Sequence, residues 1–175
     1  MEYPKSHRLI VDDLLSGKFL LRDEDHFQSL KDNEDFYIDF FKVSFNYDIK
    51  VTGDYAYLIS PDSNETFSRD VSIFFAILCY ELDRDGRNFM DQIQYAEFEI
   101  DAIERYFEET TFNDIIRNNK QLKDRESRKN IINAMARRNI VEKTAEDRFM
   151  FTPAYHVFID FAKELAKEKM DDINE

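Results

Sequence analysis

The stretch RNNKQLKDRESRKNIINAMARRNIVEKTAEDRFMF, residues 117–151, carries the pattern that decides the fold. Ile131, Ile132 and Met135 recur at helical spacing and share one side of a helix predicted over residues 124–138. Basic and amide side chains fall on its opposite side: Lys123, Lys129, Asn130, Asn133 and Arg137. The pattern therefore predicts an amphipathic helix with an apolar inner face and a basic outer face.

Two short strands, predicted at 140–144 and 149–152, follow this helix around the turn Ala-Glu-Asp-Arg. A basic helix followed by a short hairpin is how a winged helix presents itself to DNA. Residues 117–143 contain nine Lys or Arg and three Asp or Glu, a net charge of +6 in a chain whose total is −13. We call these residues the basic island. They predict an anion-binding surface, although a charged helix face is often only solvated and many winged helices bind proteins.

Length and composition predict a folded, mainly helical protein. The 175 residues include 17 Phe and 9 Tyr for a core, whereas 3 Gly and 3 Pro are few for an all-β fold. The single cysteine, Cys79, excludes an internal disulfide and a cysteine-based zinc site. The N-terminus lacks the apolar core of a signal peptide, and the longest apolar run, 71–80, is about half of a membrane span. We therefore expect a soluble, cytoplasmic protein of the α+β class, mainly α with small β-hairpins.

The first 66 residues predict helices closed by a hairpin. A helix over 6–16 ends at Gly17 and a short strand follows at 19–21. The acidic runs 23–25 and 32–35 each favour a helix start, and the second run opens a helix. That helix is predicted to turn four aromatic side chains inward: Tyr37, Phe40, Phe41 and Phe45. Residues 47–51 and 55–59 then alternate apolar and polar side chains around Thr-Gly-Asp, as in a hairpin. We predict a linker at 60–66, and hence winged-helix domains at 1–66 and 67–175.

The second half opens with a strong helical stripe. Its apolar residues recur at helical spacing: Val71, Phe74, Phe75, Leu78, Cys79 and Leu82. We expect Cys79 to be buried there. A second helical segment is predicted over 96–107, with Ile100, Ile103 and Phe107 on one side, and a shorter helical piece around 112–116. After the basic helix and its hairpin, Thr152 and Pro153 predict the start of a last helix. The inward side of that helix is predicted to carry Phe158, Phe161, Ala162 and Leu165.

The distribution of charge along the chain suggests different roles for its two halves. Residues 1–66 carry seven basic and fourteen acidic residues, a net charge of −7, and residues 67–116 carry four and twelve, a net charge of −8. An acidic N-terminal unit repels phosphate, so its hairpin is not expected to act as a DNA wing. The sequence thus suggests one protein-binding unit and one DNA-binding unit.

No motif indicates catalysis, a cofactor or a metal. The run 82–94 resembles a calcium loop at Asp83 and Asp85, but Arg87, Asn88 and Gln94 occupy positions that need a ligand or a glycine. A helix C-cap is the better interpretation. The three histidines lack ligand spacing, and the sequence contains neither a phosphate-binding glycine loop nor a nucleophile elbow. We therefore predict a protein that is not an enzyme and binds no cofactor or metal.

Extended stretches resemble one known family. They occur in the order and spacing of that family and span most of the chain: LLSGKFLLRDEDHF (14–27), FYIDFFKVSFNYDIKVTGDYAYLIS (36–60), RDVSIFFAILCYEL (69–82) and NAMARRNIVE (133–142). The chain resembles the MukE/MksE family, the small accessory subunits of bacterial condensin-like SMC complexes. It lacks the long acidic tail of the MukE branch, which favours the MksE-like branch.

The resemblance implies tandem winged-helix domains, a homodimer held on a kleisin subunit, an SMC-type ATPase as third partner, and DNA contact through the C-terminal winged helix. Lys123, Lys129 and Arg137 match basic positions of the family's C-terminal recognition helix. With three residues added from the pattern of the chain itself, the predicted DNA contacts are Lys123, Lys129, Asn133, Arg137, Arg138 and Lys143. A nucleoid-associated subunit for chromosome maintenance or plasmid defence follows. The alternative is a free-standing winged-helix transcription regulator.

Overall fold

The computed structural model describes residues 3–61 and 65–160. Within these ranges the chain is mainly helical with two small antiparallel sheets, which confirms the predicted α+β class. The chain divides into two compact units. The first comprises Met1–Asn64 with Arg137–Asn139, and the second comprises Glu65–Ala136 with Ile140–Glu175.

The first unit contains three helices and a three-stranded sheet. In chain order they are α1 (His7–Leu15), β1 (Leu20–Leu21), α2 (Asp25–Asp32), α3 (Glu34–Phe45), β2 (Asp48–Val51) and β3 (Tyr55–Ile59). The strand order is β1-β3-β2, with Leu20 opposite Ala56 and Val51 opposite the same residue. The predicted first helix, short strand and hairpin are therefore confirmed.

Local chemistry explains the ends of these elements. Gly17, with φ of 80°, ends α1, and Asn46, with φ of 57°, ends α3, since both adopt the left-handed conformation that glycine and asparagine tolerate best. In the hairpin, the hydroxyl of Thr52 accepts hydrogen bonds from the backbone N–H groups of Asp54 and Tyr55. This polar turn satisfies backbone groups that the two strands cannot pair.

The core of the first unit forms where its helices meet the sheet. The buried residues are Ile10, Leu14, Leu20, Phe27, Leu30, Tyr37, Phe41 and Ala56. Tyr37 and Phe41 thus lie inward as predicted, but Phe40 is only half-buried and Phe45 is 40% exposed. The inward prediction is wrong for Phe45, because α3 ends at that residue and the chain turns away through Asn46.

The second unit repeats the order of helix, strand, two further helices and hairpin, with two additional helices. Its elements are α4 (Glu65–Arg84), α5 (Phe89–Tyr95), β4 (Phe98–Glu99), α6 (Ile100–Glu109), α7 (Asn113–Asn118), α8 (Arg125–Arg137), β5 (Val141–Ala145) and β6 (Arg148–Phe151). The strand order is β4-β6-β5, which corresponds strand for strand to the sheet of the first unit.

The helix predicted over 96–107 is confirmed from residue 100, with Ile100, Ile103 and Phe107 buried, but its predicted start is wrong and α5 was not predicted. The structure places α5 at 89–95, then β4, and starts a separate helix at Ile100. Asn88 caps α5 by accepting hydrogen bonds from the backbone N–H groups of Met90 and Asp91. Phe98 pairs with Phe149 of β6. A strand of two residues has no periodicity of its own, so only its long-range partner defines it.

The stripe on α4 is buried as predicted except at one position. Val71, Phe74, Phe75, Leu78 and Leu82 are at most 1% exposed. Cys79 is only half-buried, because it lies at the edge of the stripe. Burial in this site raises the pKa of its thiol to about 11.

Aromatic pairs join α4 to its neighbours. Phe74 stacks on Phe107 of α6 with ring centres 5.0 Å apart, and Phe75 lies 4.6 Å from Phe151 of β6. The residues 155–160 are helical, the hydroxyl of Thr152 accepts from the backbone N–H of Ala154, and Phe158 is buried, as predicted for the last helix. Phe161, Ala162 and Leu165 lie outside the described residues. No helix within the described ranges is long and apolar enough to cross a membrane.

Candidate nucleic-acid interface

The amphipathic helix of the basic island is α8. Ile131, Ile132 and Met135 are at most 2% exposed, which confirms the predicted inner face. Asp124 precedes the helix and accepts a hydrogen bond of 2.8 Å from the backbone N–H of Ser127. This hydrogen bond stabilises the ionised carboxylate and so lowers the pKa of Asp124. The helix start is thus stabilised by an ionised cap.

Arg128 is a member of the basic island that faces inward. Its guanidinium Nε donates to both carboxylate oxygens of Glu104, at 3.0 and 3.1 Å, and its Nη2 donates to Oε2 at 2.5 Å. Its Nη1 donates to the carbonyl oxygen of Leu122 at 2.7 Å, and its guanidinium carbon lies 5.7 Å from the ring centre of Phe107. The two charged side chains are only 5% and 4% exposed. Arg128 therefore ties α8 to α6 and is not available to DNA.

The sequence contained a signal for this pair that our prediction missed. Arg128 precedes Ile131 at the spacing of the buried stripe, and Glu104 follows Ile103 on the inward side of α6. One cation and one anion, each at an inward position of an amphipathic helix, predict a buried ion pair.

Four of the predicted contact residues are exposed or partly exposed along α8 and its start. Lys129 and Arg137 are exposed, Asn133 is half-buried, and Lys123 is exposed just before the helix. Lys129, Asn133 and Arg137 are spaced by four residues, so they stack along one face of α8. Lys143 is exposed on β5. The exposure of these side chains agrees with the predicted outer face.

Arg138 lies in a different setting, within the first unit. Its guanidinium group lies beside Gly17, so close that a Cβ atom added to this glycine would meet the guanidinium carbon at 3.5 Å. The carbonyl oxygen of Arg138 accepts a hydrogen bond of 2.9 Å from the backbone N–H of Phe19. Burial, followed by the charge of Arg137, lowers the pKa of Arg138. The Arg138 side chain is half-buried, so it is less accessible to a phosphate than Lys129 or Arg137.

Asn139 explains how α8 ends. Its φ of 59° is left-handed, and the backbone N–H of Ile140 donates to the carbonyl oxygen of Met135 across it, as in a Schellman motif. Its side-chain amide donates to the carbonyl oxygen of Phe19 at 2.8 Å and to Glu24 at 3.2 Å. Asparagine therefore supplies the conformation that glycine would offer and adds two hydrogen bonds.

Ion pairs reduce the charge that the basic island offers. Arg125 pairs with Asp101 at 2.5 Å in addition to the buried pair of Arg128. Outside the basic island, Arg148 of the hairpin pairs with Glu97 and Glu99. By contrast, the four exposed lysine and arginine residues on the outer face and strand have no ion-pair partner in the described part of the chain: Lys123, Lys129, Arg137 and Lys143.

The chain matches the family model of the condensin complex protein MksE over residues 5–163. It belongs to the MksE family of condensin complex proteins. A search of curated proteins found no match. The MksE family is non-catalytic, which confirms the prediction that the chain is not an enzyme. Membership of a condensin complex family also implies partners within an SMC complex.

Two further regions of this MksE family protein bear on metal binding: the end of α4 and a three-residue cluster in the first unit. Gly86, with φ of 74°, follows the end of α4, and the backbone N–H of Arg87 donates to the carbonyl oxygen of Leu82. This is the predicted helix C-cap rather than a calcium loop. The structure thus confirms the C-cap interpretation of residues 82–94.

Asp13, Glu24 and His26 form a cluster that sequence reasoning did not find. Ligand atoms of the three residues lie within 4.8 Å of one another. The ammonium of Lys18 pairs with Asp13 at 3.1 Å and with Glu24 at 2.7 Å, and these two partners raise its pKa against the opposing effect of burial. The cluster therefore already contains a cation, which offsets one of its two carboxylate charges.

Proposed function

We propose that this MksE family protein is an accessory subunit of a bacterial condensin-like SMC–kleisin complex. In this proposal it binds the kleisin subunit, reaches the SMC-type ATPase through the kleisin, and contacts DNA without sequence preference. The observation that carries the proposal is the family match over residues 5–163. That match favours a complex subunit over a free-standing winged-helix transcription regulator.

We also propose that each unit is a winged-helix domain. The first unit follows the order helix, strand, helix, helix and hairpin, and the second follows it with two additional helices; in both sheets the last strand lies between the other two. In this arrangement α3 and α8 are equivalent helices, each directly before a hairpin. Their chemistry differs, since α3 begins with Glu34 and Asp35 whereas α8 carries Lys129 and Arg137 outward.

The proposed DNA contacts are made by the outer face of α8, with Lys123 before it and Lys143 on the adjoining strand. Lys129 and Arg137 lie eight residues apart, or about 12 Å along the helix axis. Unpaired lysine and arginine side chains suit phosphate contacts, which position a protein without reading sequence. Residues outside the basic island carry a net charge of −19, so binding by the isolated subunit is expected only at low salt.

The double variant Lys129→Glu/Arg137→Glu tests this interface. It is expected to abolish binding to random duplex DNA at low ionic strength, because it replaces two phosphate contacts by two repulsive charges. For the wild type, four contacts predict a slope of log affinity against log salt of roughly −3 to −4. Fluorescence anisotropy with a labelled duplex measures both quantities.

The matched control is Lys31→Glu/Lys50→Glu, which makes the same charge change at two exposed lysines of the first unit. This control is expected to keep most of the wild-type affinity. If the α8 double variant binds as well as the wild type, the outer face is only solvated and the proposed DNA contact is wrong.

The proposed assembly is a homodimer on the kleisin, in the cytoplasm and on the nucleoid. Purification of the tagged chain from its source is expected to bring a kleisin and an SMC protein with it. Analytical ultracentrifugation is expected to give a dimer. A monomer that also shows no heat of binding with the kleisin would overturn this assembly.

A further inference from the structure

Exposed apolar side chains concentrate in the first unit. Seven large hydrophobic residues of this unit are at least 40% exposed: Tyr3, Leu9, Leu15, Ile38, Val43, Phe45 and Ile59. Only three such residues occur in the described part of the second unit, which is the larger one: Tyr80, Tyr95 and Ile115. Scattered exposed apolar residues are normal, but a continuous patch indicates an interaction surface.

Part of this surface is continuous. Phe36, Phe40 and Val43 follow the i, i+4, i+7 spacing of one face of α3. We define the aromatic ridge as these three residues together with the rings joined to Phe36 and Phe40 by ring contacts, directly for Tyr3, His7 and Phe45 and through Phe45 for Tyr47. Within it, Tyr3 stacks on His7 with ring centres 4.6 Å apart, and Phe45 lies 6.0 Å from both Phe40 and Tyr47.

The ridge is partly exposed to solvent, although Phe36, Phe40 and Tyr47 also pack against the core of the first unit. Val43 is 86% exposed and Tyr3 is 57% exposed, while Phe36, Phe40 and Tyr47 are half-buried. Aromatic residues that are held rigidly by their neighbours and remain partly exposed lose little side-chain entropy on binding. They are therefore well suited to anchor a partner.

Acidic side chains border the ridge. Asp35 and Asp39 are exposed one turn apart on α3, and Asp39 lies one turn before Val43. Neither aspartate has an ion-pair partner in the described ranges. The nearby cation of the helix, Lys42, is paired with Asp48 at 3.0 Å. The border of the ridge therefore carries uncompensated negative charge.

We infer that the aromatic ridge is the docking surface for a partner segment whose apolar side chains are bordered by lysine or arginine. The inference rests on the proposed function, in which that segment belongs to the kleisin. The apolar side chains of the segment cover Phe36, Phe40 and Val43, and its cations pair with Asp35 and Asp39. Charge complementarity of this kind sets the orientation of a partner and speeds its association.

The same charges disfavour a second copy of the ridge as the occupant. Two ridges placed face to face bring Asp35 and Asp39 of both copies together, and each first unit carries a net charge of −7 over residues 1–66. Like charges across an interface suppress that pairing. A segment bordered by lysine or arginine is repelled neither by these aspartates nor by the net charge of the first unit.

Two variants of the full chain test the surface with the purified kleisin of the same complex as the probe. Val43→Gln removes an exposed apolar anchor but keeps a good helix former, and is expected to weaken kleisin binding about tenfold or more. Asp35→Lys/Asp39→Lys reverses the bordering charges and is expected to weaken binding roughly tenfold at low salt, with a smaller loss at high salt. Isothermal titration calorimetry measures both effects.

Matched controls separate the ridge from general changes in hydrophobicity and charge. Leu9→Gln removes another exposed apolar side chain, 57% exposed on α1 and outside the ridge. Asp23→Lys/Asp25→Lys makes the same charge change at two exposed aspartates at the start of α2. Both controls are expected to bind within about twofold of the wild type. Circular dichroism confirms that each variant is folded.

The outcomes distinguish this inference from the proposed function. If the wild type binds the kleisin and the ridge variants bind equally well, the docking surface is wrong and the proposed function stands. If the wild type does not bind the kleisin, both fail together. If Val43→Gln converts a wild-type dimer into a monomer without changing kleisin affinity, the ridge is a self-association surface and the basic-bordered segment is the wrong occupant.

Discussion

The buried pair of Arg128 and Glu104 predicts a large and specific stability effect. Arg128→Met removes the guanidinium and keeps an apolar stem of similar length. The change leaves the Glu104 carboxylate, 4% exposed as a side chain, without its three hydrogen bonds from Arg128, and it also removes the bond to the Leu122 carbonyl oxygen. An uncompensated buried charge is the dominant cost.

The expected loss in the free energy of unfolding is about 3–5 kcal/mol, the usual cost of breaking a buried pair on one side. This is a large share of the roughly 5–15 kcal/mol that stabilises a typical domain. For a unit of about 100 residues it corresponds to a fall in melting temperature of about 12–20 °C, taking about 4 °C per kcal/mol. The double variant Glu104→Met/Arg128→Met removes both charges, so its expected loss is about 1–2 kcal/mol, mainly from the orphaned carbonyl.

A matched control lies one turn away on the same two helices. Arg125 pairs with Asp101 at 2.5 Å, but these side chains are 66% and 77% exposed. Arg125→Met is therefore expected to cost less than about 1 kcal/mol. The main difference between the two pairs is burial, because each joins an arginine of α8 to a carboxylate of α6.

Urea and thermal unfolding followed by circular dichroism measure these values. The wild type, Arg128→Met, Glu104→Met and the double variant form a double-mutant cycle. The expected result is a double variant more stable than either single charge-removing variant. The reasoning is refuted if Arg128→Met costs less than about 1 kcal/mol, or if the two single losses simply add in the double variant.

Three further predictions follow from particular side chains. Because the pKa of Cys79 is raised to about 11 by burial, maleimide labelling of the native protein at pH 8 is expected to be roughly 10- to 100-fold slower than in urea; equal rates would contradict it. Burial raises the pKa of Tyr37 to about 12. The stabilisation of the folded state by the neutral Tyr37 phenol is therefore complete below pH 10 and is lost as the pH rises towards 12. Tyr37→Phe is expected to flatten this alkaline loss of stability in pH-dependent melts. Asn139 has a φ of 59°, so Asn139→Ala is expected to lower the free energy of unfolding by at least about 1 kcal/mol, and Asn139→Gly by less, in the same urea assay.

Local patterns in the sequence were sufficient for most of the helices and both hairpins. The spacing of Ile131, Ile132 and Met135 identifies the buried face of α8, because helix geometry places such residues on one side whatever they contact. The Thr-Gly-Asp turn likewise determines where β2 and β3 meet. Family membership was also accessible from extended stretches of sequence. The exposed positions of Lys129 and Arg137 followed from the same helical wheel.

What the sequence did not reveal depends on which elements meet. Periodicity indicated that Arg128 faces inward, but the meeting of α6 and α8 decides that Glu104 neutralises it there. The two residues of β4 form a strand only because Phe98 finds Phe149, fifty-one positions later. The sequence by itself therefore determined which side of each element is apolar. Tertiary structure alone decided which charges are cancelled and which aromatic side chains remain exposed, because both depend on neighbours that are distant along the chain.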